Sequence, residues 1–142
     1  MRLALLTYST KPRGGVVHTL ALAEALVRVG VRVTVWTLGR GGDTAFFRAV
    51  DPAAEVRVVA LPDRAGEDLE ERVLRSIEAL AAHVHRAGYD VVHAQDRISA
   101  NAVPGCVRTV HHLDAFTTPA LVACHERAPR AGRARVRLPR GG

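Results

Sequence analysis

The chain is poor in residues that staple, stack or span. Two cysteines in 142 residues, Cys106 and Cys124, offer no disulfide framework. A domain of this length buries roughly two-thirds of its unfolded surface, so it needs no staples. Aromatic residues make up only 4% of the chain, which leaves few platforms for stacked bases. Lysine occurs once, at Lys11, against 19 arginines, a bias that reads as G+C-rich coding rather than chemistry. No apolar run is long and uncharged enough for a membrane span. The start, Met1 to Tyr8, mimics a signal peptide, but no small-residue cleavage site follows and Lys11 and Arg13 come at once. A cytoplasmic protein is therefore expected.

Acid is missing from one place only. All 14 Asp and Glu lie in residues 1–126, together with 14 basic side chains, so that stretch is formally neutral. The last sixteen residues hold Arg127, Arg130, Arg133, Arg135, Arg137 and Arg140 and supply the whole net charge of +6. The charge therefore describes an end, not a basic domain. The division places one domain over 1–128 and a basic, disordered tail over 129–142. The tail reads as a G+C-rich gene translated out of frame. The alternative is an arm for nucleic acid or acidic lipid. The tail's lack of aromatics disfavours nucleic acid.

What is present is a hydrophobic content of 48% arranged in periods. Leu3 to Tyr8 reads as a buried strand, closed by Ser9 to Gly15. Val16 to Val29 repeats at three and four and ends at Gly30, as a helix does. Val31 to Thr37 alternates as strand two, residues 38–43 read as a loop, and 44–50 as a short helix. Glu55 to Leu61 is strand three. Glu67 to Ala87 is the clearest helix, with Leu69, Val73, Ile77, Leu80 and Val84 as its apolar stripe. Asp90 to Ala94 is strand four, Ile98 to Val103 helical, Cys106 to His111 strand five, and Pro119 to Arg127 helical. Strands alternating with helices specify an α/β fold, a parallel sheet with helices on both faces.

In such sheets the ligand lies beyond the carboxyl ends of the strands, so the residues just after each strand carry the information. Gly14 and Gly15 precede the first helix, where exposed N–H groups and the positive helix end suit an anion. A tight turn needing glycine explains the pair equally well. No G-x-G-x-x-G element occurs, and no carboxylate ends strand two, which counts against a nicotinamide-dependent enzyme. Walker A and G-x-S-x-G elements are absent too. After strand four come His93 and Asp96; after strand five come His111 and His112. Adjacent strand residues face opposite ways, so the two histidines cannot both enter one cleft in regular geometry. A histidine there can hold a phosphate or sugar oxygen or move a proton, or simply cap its strand. No spacing suits a metal, and none is expected.

The order of these parts resembles family 4 glycosyltransferases, retaining enzymes of the two-Rossmann-domain (GT-B) architecture. The resemblance rests on Gly14-Gly15-Val16, Leu22 to Leu26, Gly30, Val31 to Val35, Tyr89 to Asp96 and Thr109 to His112. It implies a Rossmann-like N-terminal half, which mainly holds the acceptor. It also implies transfer of a sugar from a nucleotide sugar, used as a substrate, with no cofactor or metal. Gly14 and Gly15 match the family's loop near the donor diphosphate. His111 matches the histidine beside the reacting carbon, and His93, Asp96 and His112 line the cleft. Val31 and Gln95 depart from the family, which usually has histidine at both places. The family's second domain, with the nucleotide pocket, is not in this sequence, so the chain is expected to be a truncated half, inactive alone. The alternatives are a stand-alone module for a phosphate or sugar ligand and a nucleic-acid binder acting through its tail. The acceptor, a peripheral membrane association and the oligomeric state stay open.

Overall fold

A computed structural model describes residues 1–111. The elements are β1 (Arg2–Leu6), α1 (Gly14–Arg28), β2 (Arg32–Arg40), β3 (Glu55–Leu61), α2 (Leu69–His83), a 3-10 turn (Arg86–Gly88), β4 (Val91–Ala94), α3 (Arg97–Ala102) and β5 (Val107–Arg108). The strands form one parallel sheet in the order β3-β2-β1-β4-β5, the Rossmann-like α/β arrangement expected from the alternation.

Side chains alternate between the two faces of a strand, and each face has its own core. Leu3, Leu5, Val33 and Val35 face α1 and bury Val16, Leu20 and Ala23, with Phe46 and Ala54 from the β2–β3 connection. Ala4, Leu6, Trp36, Leu38, Val92 and Ala94 face the other way onto Leu80 of α2 and Ala100 and Ala102 of α3. Each fully buried leucine contributes about 1.5–3 kcal/mol through area removed from water.

Local chemistry sets the helix ends. Gly30, at φ 85°, closes α1: its N–H donates to Val27 O at 3.0 Å and the Val31 N–H to Leu26 O at 3.0 Å. That pair of bonds satisfies carbonyls the helix leaves open, and only glycine takes that φ without strain. At the start of α2 a capping box operates: the Glu71 N–H donates to Asp68 and the Asp68 N–H to Glu71.

Several elements differ from the sequence expectation. α1 begins at Gly14 rather than Val16, so both glycines lie in its first turn. β2 runs on to Arg40 instead of ending at Thr37, because Thr37 to Arg40 pair with Val58 to Leu61. Gly39, read as loop, is a strand residue: a Cβ there would collide with the Asp43 carbonyl and lie 2.6 Å from Val58 Cγ1. Residues 44–50 form no helix; the segment crosses irregularly, anchored by buried Phe46. The second helix stops at His83, where the backbone turns extended at Val84 and sends that side chain into the core. β5 is two residues long, although the Thr109 N–H still donates to Ala94 O at 2.9 Å. The helix expected over 119–127 and the tail lie outside the described residues. Among the described residues no helix is long and apolar enough to cross a membrane.

Candidate functional site

The strand order reverses between β1 and β4, and the connections from these two strands leave to opposite faces. Chains diverging in this way open a crevice at the carboxyl ends of the strands. The loop from Thr7 to Arg13 exits β1 on one side, and Gln95 and Asp96 exit β4 on the other.

α1 presents its amino end there. Arg13 sits at the N-cap with no side-chain capping bond, and the first turn holds no acid. The first intrahelical donor is Val17, bonded to Arg13 O at 2.9 Å, so the Gly14, Gly15 and Val16 N–H groups precede it at the positive end of the helix. The two glycines are not equivalent. A Cβ on Gly14 would meet nothing within 4 Å, whereas one on Gly15 would lie 3.4 Å from His111 Cδ2 and 3.6 Å from Gln95 O. Gly15 is where another group comes close, and that group is the His111 ring.

The His111 Nε2 lies 3.4 Å from the side-chain oxygen of Gln95. Its ring also meets His18 edge-to-face, with centroids 5.2 Å apart. His93 stands 2.7 Å, by its Nε2, from the Thr109 hydroxyl. Burial holds the His93 ring below the ordinary histidine range, and the nearby charges of His18 and His111 push the same way. Asp96 works differently. One carboxylate oxygen accepts the Ser99 N–H at 2.8 Å as the cap of α3, and the other accepts the Tyr8 N–H at 3.0 Å. It thus ties the exit of β1 to the start of α3. Burial raises its pKa, against the hydrogen bonds from Ser99 and Tyr8 that lower it.

Gly15 and His111 therefore meet, His93 stands one layer behind them, and Asp96 forms the wall between β1 and α3. His112 lies outside the described residues. Two participants are not legible from post-strand positions alone. His18 sits three residues after Gly15 on α1, and that spacing places the two on one helix face. Gln95 enters through its amide rather than as a substitute for a ring. The loop leading into the glycines is also braced: the Thr10 hydroxyl donates to Asp43 at 2.6 Å, and the Lys11 ammonium stands 2.9 Å from the same carboxylate. Among the described residues no three acidic, histidine or cysteine side chains come together to hold a metal.

Two cavities lie elsewhere. One of about 500 Å3 opens at the amino ends of the strands, between Arg2, Arg32, Trp36, Arg57 and Tyr89. The other, about 510 Å3, lies between β3 and the connection at Phe46 and Val50. Neither touches Gly15 or His111. The crevice is the better site because it gathers convergent donors and rings, whereas the cavities are open hollows.

The family model for Glycosyltransferase Family 4 matches residues 12–140, about nine-tenths of the chain. The match runs past Glu126 across most of the arginine-rich segment. No curated protein matches the chain.

Proposed function

This chain belongs to glycosyltransferase family 4, and from that premise we propose that it is the acceptor-side half of an enzyme moving a sugar from a nucleotide-activated donor to an acceptor. The observation that carries this reading is the meeting of Gly15 with the His111 ring at the crevice between β1 and β4.

Each group has a task in this reading. The N–H groups of Gly14 and Gly15 face the donor diphosphate, and the uncapped end of α1 adds its partial positive charge. Glycine at 15 lets the phosphate and the histidine share one small volume. His111 orients the donor sugar and stabilises charge as the phosphate departs, an electrostatic and positioning role that needs no metal. His93 holds Thr109 and so fixes the segment that carries His111. In this reading residues 1–111 supply diphosphate contacts and not the nucleotide pocket, so the crevice by itself is a weak diphosphate site. The site acts within the cytoplasm in this reading.

The experiment is a titration of the full chain with a nucleoside diphosphate, followed by amide shifts. Gly14, Gly15 and His111 are expected to move first. Gly15→Val, whose methyl groups enter the His111 ring volume, is expected to weaken binding at least tenfold. Binding of equal strength in that variant, or shifts confined to the amino ends of the strands, overturns the assignment.

A further inference from the structure

Residues two apart at the end of a strand share a face. His93 and Gln95 are such a pair at the end of β4, and they meet a second pair, Thr109 and His111. The Thr109 N–H donates to Ala94 O at 2.9 Å, which carries the β4–β5 ladder onward and sets the register of this two-rung clasp. In the first rung the His93 ring meets a hydroxyl; in the second the Gln95 amide meets the ring of His111.

Gln95 is built to hold still. Its side chain is fully buried, and its own N–H donates to Leu6 O at 2.9 Å, so the amide rides on backbone fixed to the central strand. Among the described residues its Nε2 has no hydrogen-bond partner. A buried donor left unpaired is costly and rare, so stability alone does not account for an amide here. The Cδ2–Nε2 edge of the His111 ring is the edge held, between Gln95 and the space that a side chain on Gly15 would fill.

We propose that Gln95 is a positioning residue for His111: its side-chain oxygen accepts the Nε2 proton, holds the ring against Gly15, and makes Nδ1 the basic nitrogen of the neutral ring. This deepens the reading of His111 as a site residue. The nucleotide titration above tests that reading separately, because the ring can be fixed by Gln95 whether or not a diphosphate binds.

The test is nitrogen-15 spectroscopy of the histidine rings in the full chain, which reads each ring by itself. That resolution matters because the rings of His18 from α1 and His93 from β4 lie near His111. Above the histidine range the parent is expected to carry its His111 proton on Nε2. Gln95→Met keeps the length without the amide; it is expected to mix the two tautomers and to lose the proton–proton contact from His111 Cδ2–H to Gly15. Gln95→Glu places a carboxylate at Nε2; it is expected to keep the tautomer and to raise the proton affinity of His111 about tenfold. A parent ring protonated on Nδ1, a Gln95→Met spectrum like the parent's, or an unmoved midpoint in Gln95→Glu overturns the proposal. If Gln95→Met does not fold, the parent tautomer and the Gln95→Glu shift decide it.

Discussion

The two rims of the sheet are built from different materials. At the carboxyl rim stand a glycine pair, three histidines and a buried amide, and the carboxylate of Asp96 is taken up by backbone N–H groups. At the amino rim stand arginines matched by acids: Arg2 lies 3.7 Å from Asp90 and Arg57 2.7 Å from Glu55. The amino rim has the roomy hollow, yet its charges are half exposed and answered by neighbours. Water screens such pairs, and they contribute little to stability or recognition. The carboxyl rim holds the Gln95 amide, whose Nε2 has no hydrogen-bond partner among the described residues. A ligand site is marked by unsatisfied, positioned chemistry more than by volume.

Both rims hang on β1, so the broadest way to break the contrast is to damage that strand. Leu5 is fully buried against α1. Leu5→Ala is expected to cost about 2–5 kcal/mol, read from urea denaturation, and to loosen both rims together. If only one rim loosens, the rims are not carried by a common core.

A change of pH separates the rims more finely. Burial keeps the His93 ring below the ordinary histidine range, so the folded chain binds fewer protons there than the unfolded chain. Its contribution is present above the ordinary histidine value and is lost as pH falls through that value toward the lower folded one. Stability is therefore expected to drop on acidification from pH 7.5 to pH 5, and His93→Gln is expected to flatten the drop. Equal slopes in the two proteins remove the carboxyl-rim histidine as a source of pH sensitivity.

The smallest effect belongs to the amino rim. The Arg57 guanidinium lies over the ring of Trp36 at 5.1 Å, and Trp36 is the single tryptophan of the chain. Arg57→Ala is expected to change the emission of Trp36 while leaving the denaturation midpoint within error. A clear loss of midpoint makes the amino rim a structural element and sharpens the contrast differently.

Much of this was legible in the residues because period and punctuation agreed there. β3 falls on Glu55–Leu61, the span its alternation and Pro62 mark. Gly30 ends α1 because a left-handed residue was needed. Legibility failed where a residue had two uses. Gly39 resembled a turn glycine, but it serves close contact between β2 and Asp43. Residues 44–50 read as a short helix, yet one buried anchor, Phe46, suffices for an irregular crossing. At the site, Gly15 and His111 could be paired only in space, since 95 residues separate them in sequence. His18 lies on α1 rather than after a strand, and the Gln95 amide has no pattern to announce it. The change in charge at Glu126 does not mark the edge of the family match, which continues to residue 140.

The brace on the loop before α1 has a thermodynamic consequence. Asp43 receives Thr10 and Lys11 from the β1–α1 loop, and Phe47 donates its N–H to Thr10 O at 3.1 Å, so the crossing between β2 and β3 fastens that loop from outside the crevice. Loops that order only when a ligand arrives lose conformational entropy at that moment and weaken association. Here the ordering happens during folding. If the proposed diphosphate reaches Gly14 and Gly15, it meets amide groups already in place, so encounter is expected to be limited by diffusion and orientation rather than by rearrangement of the loop.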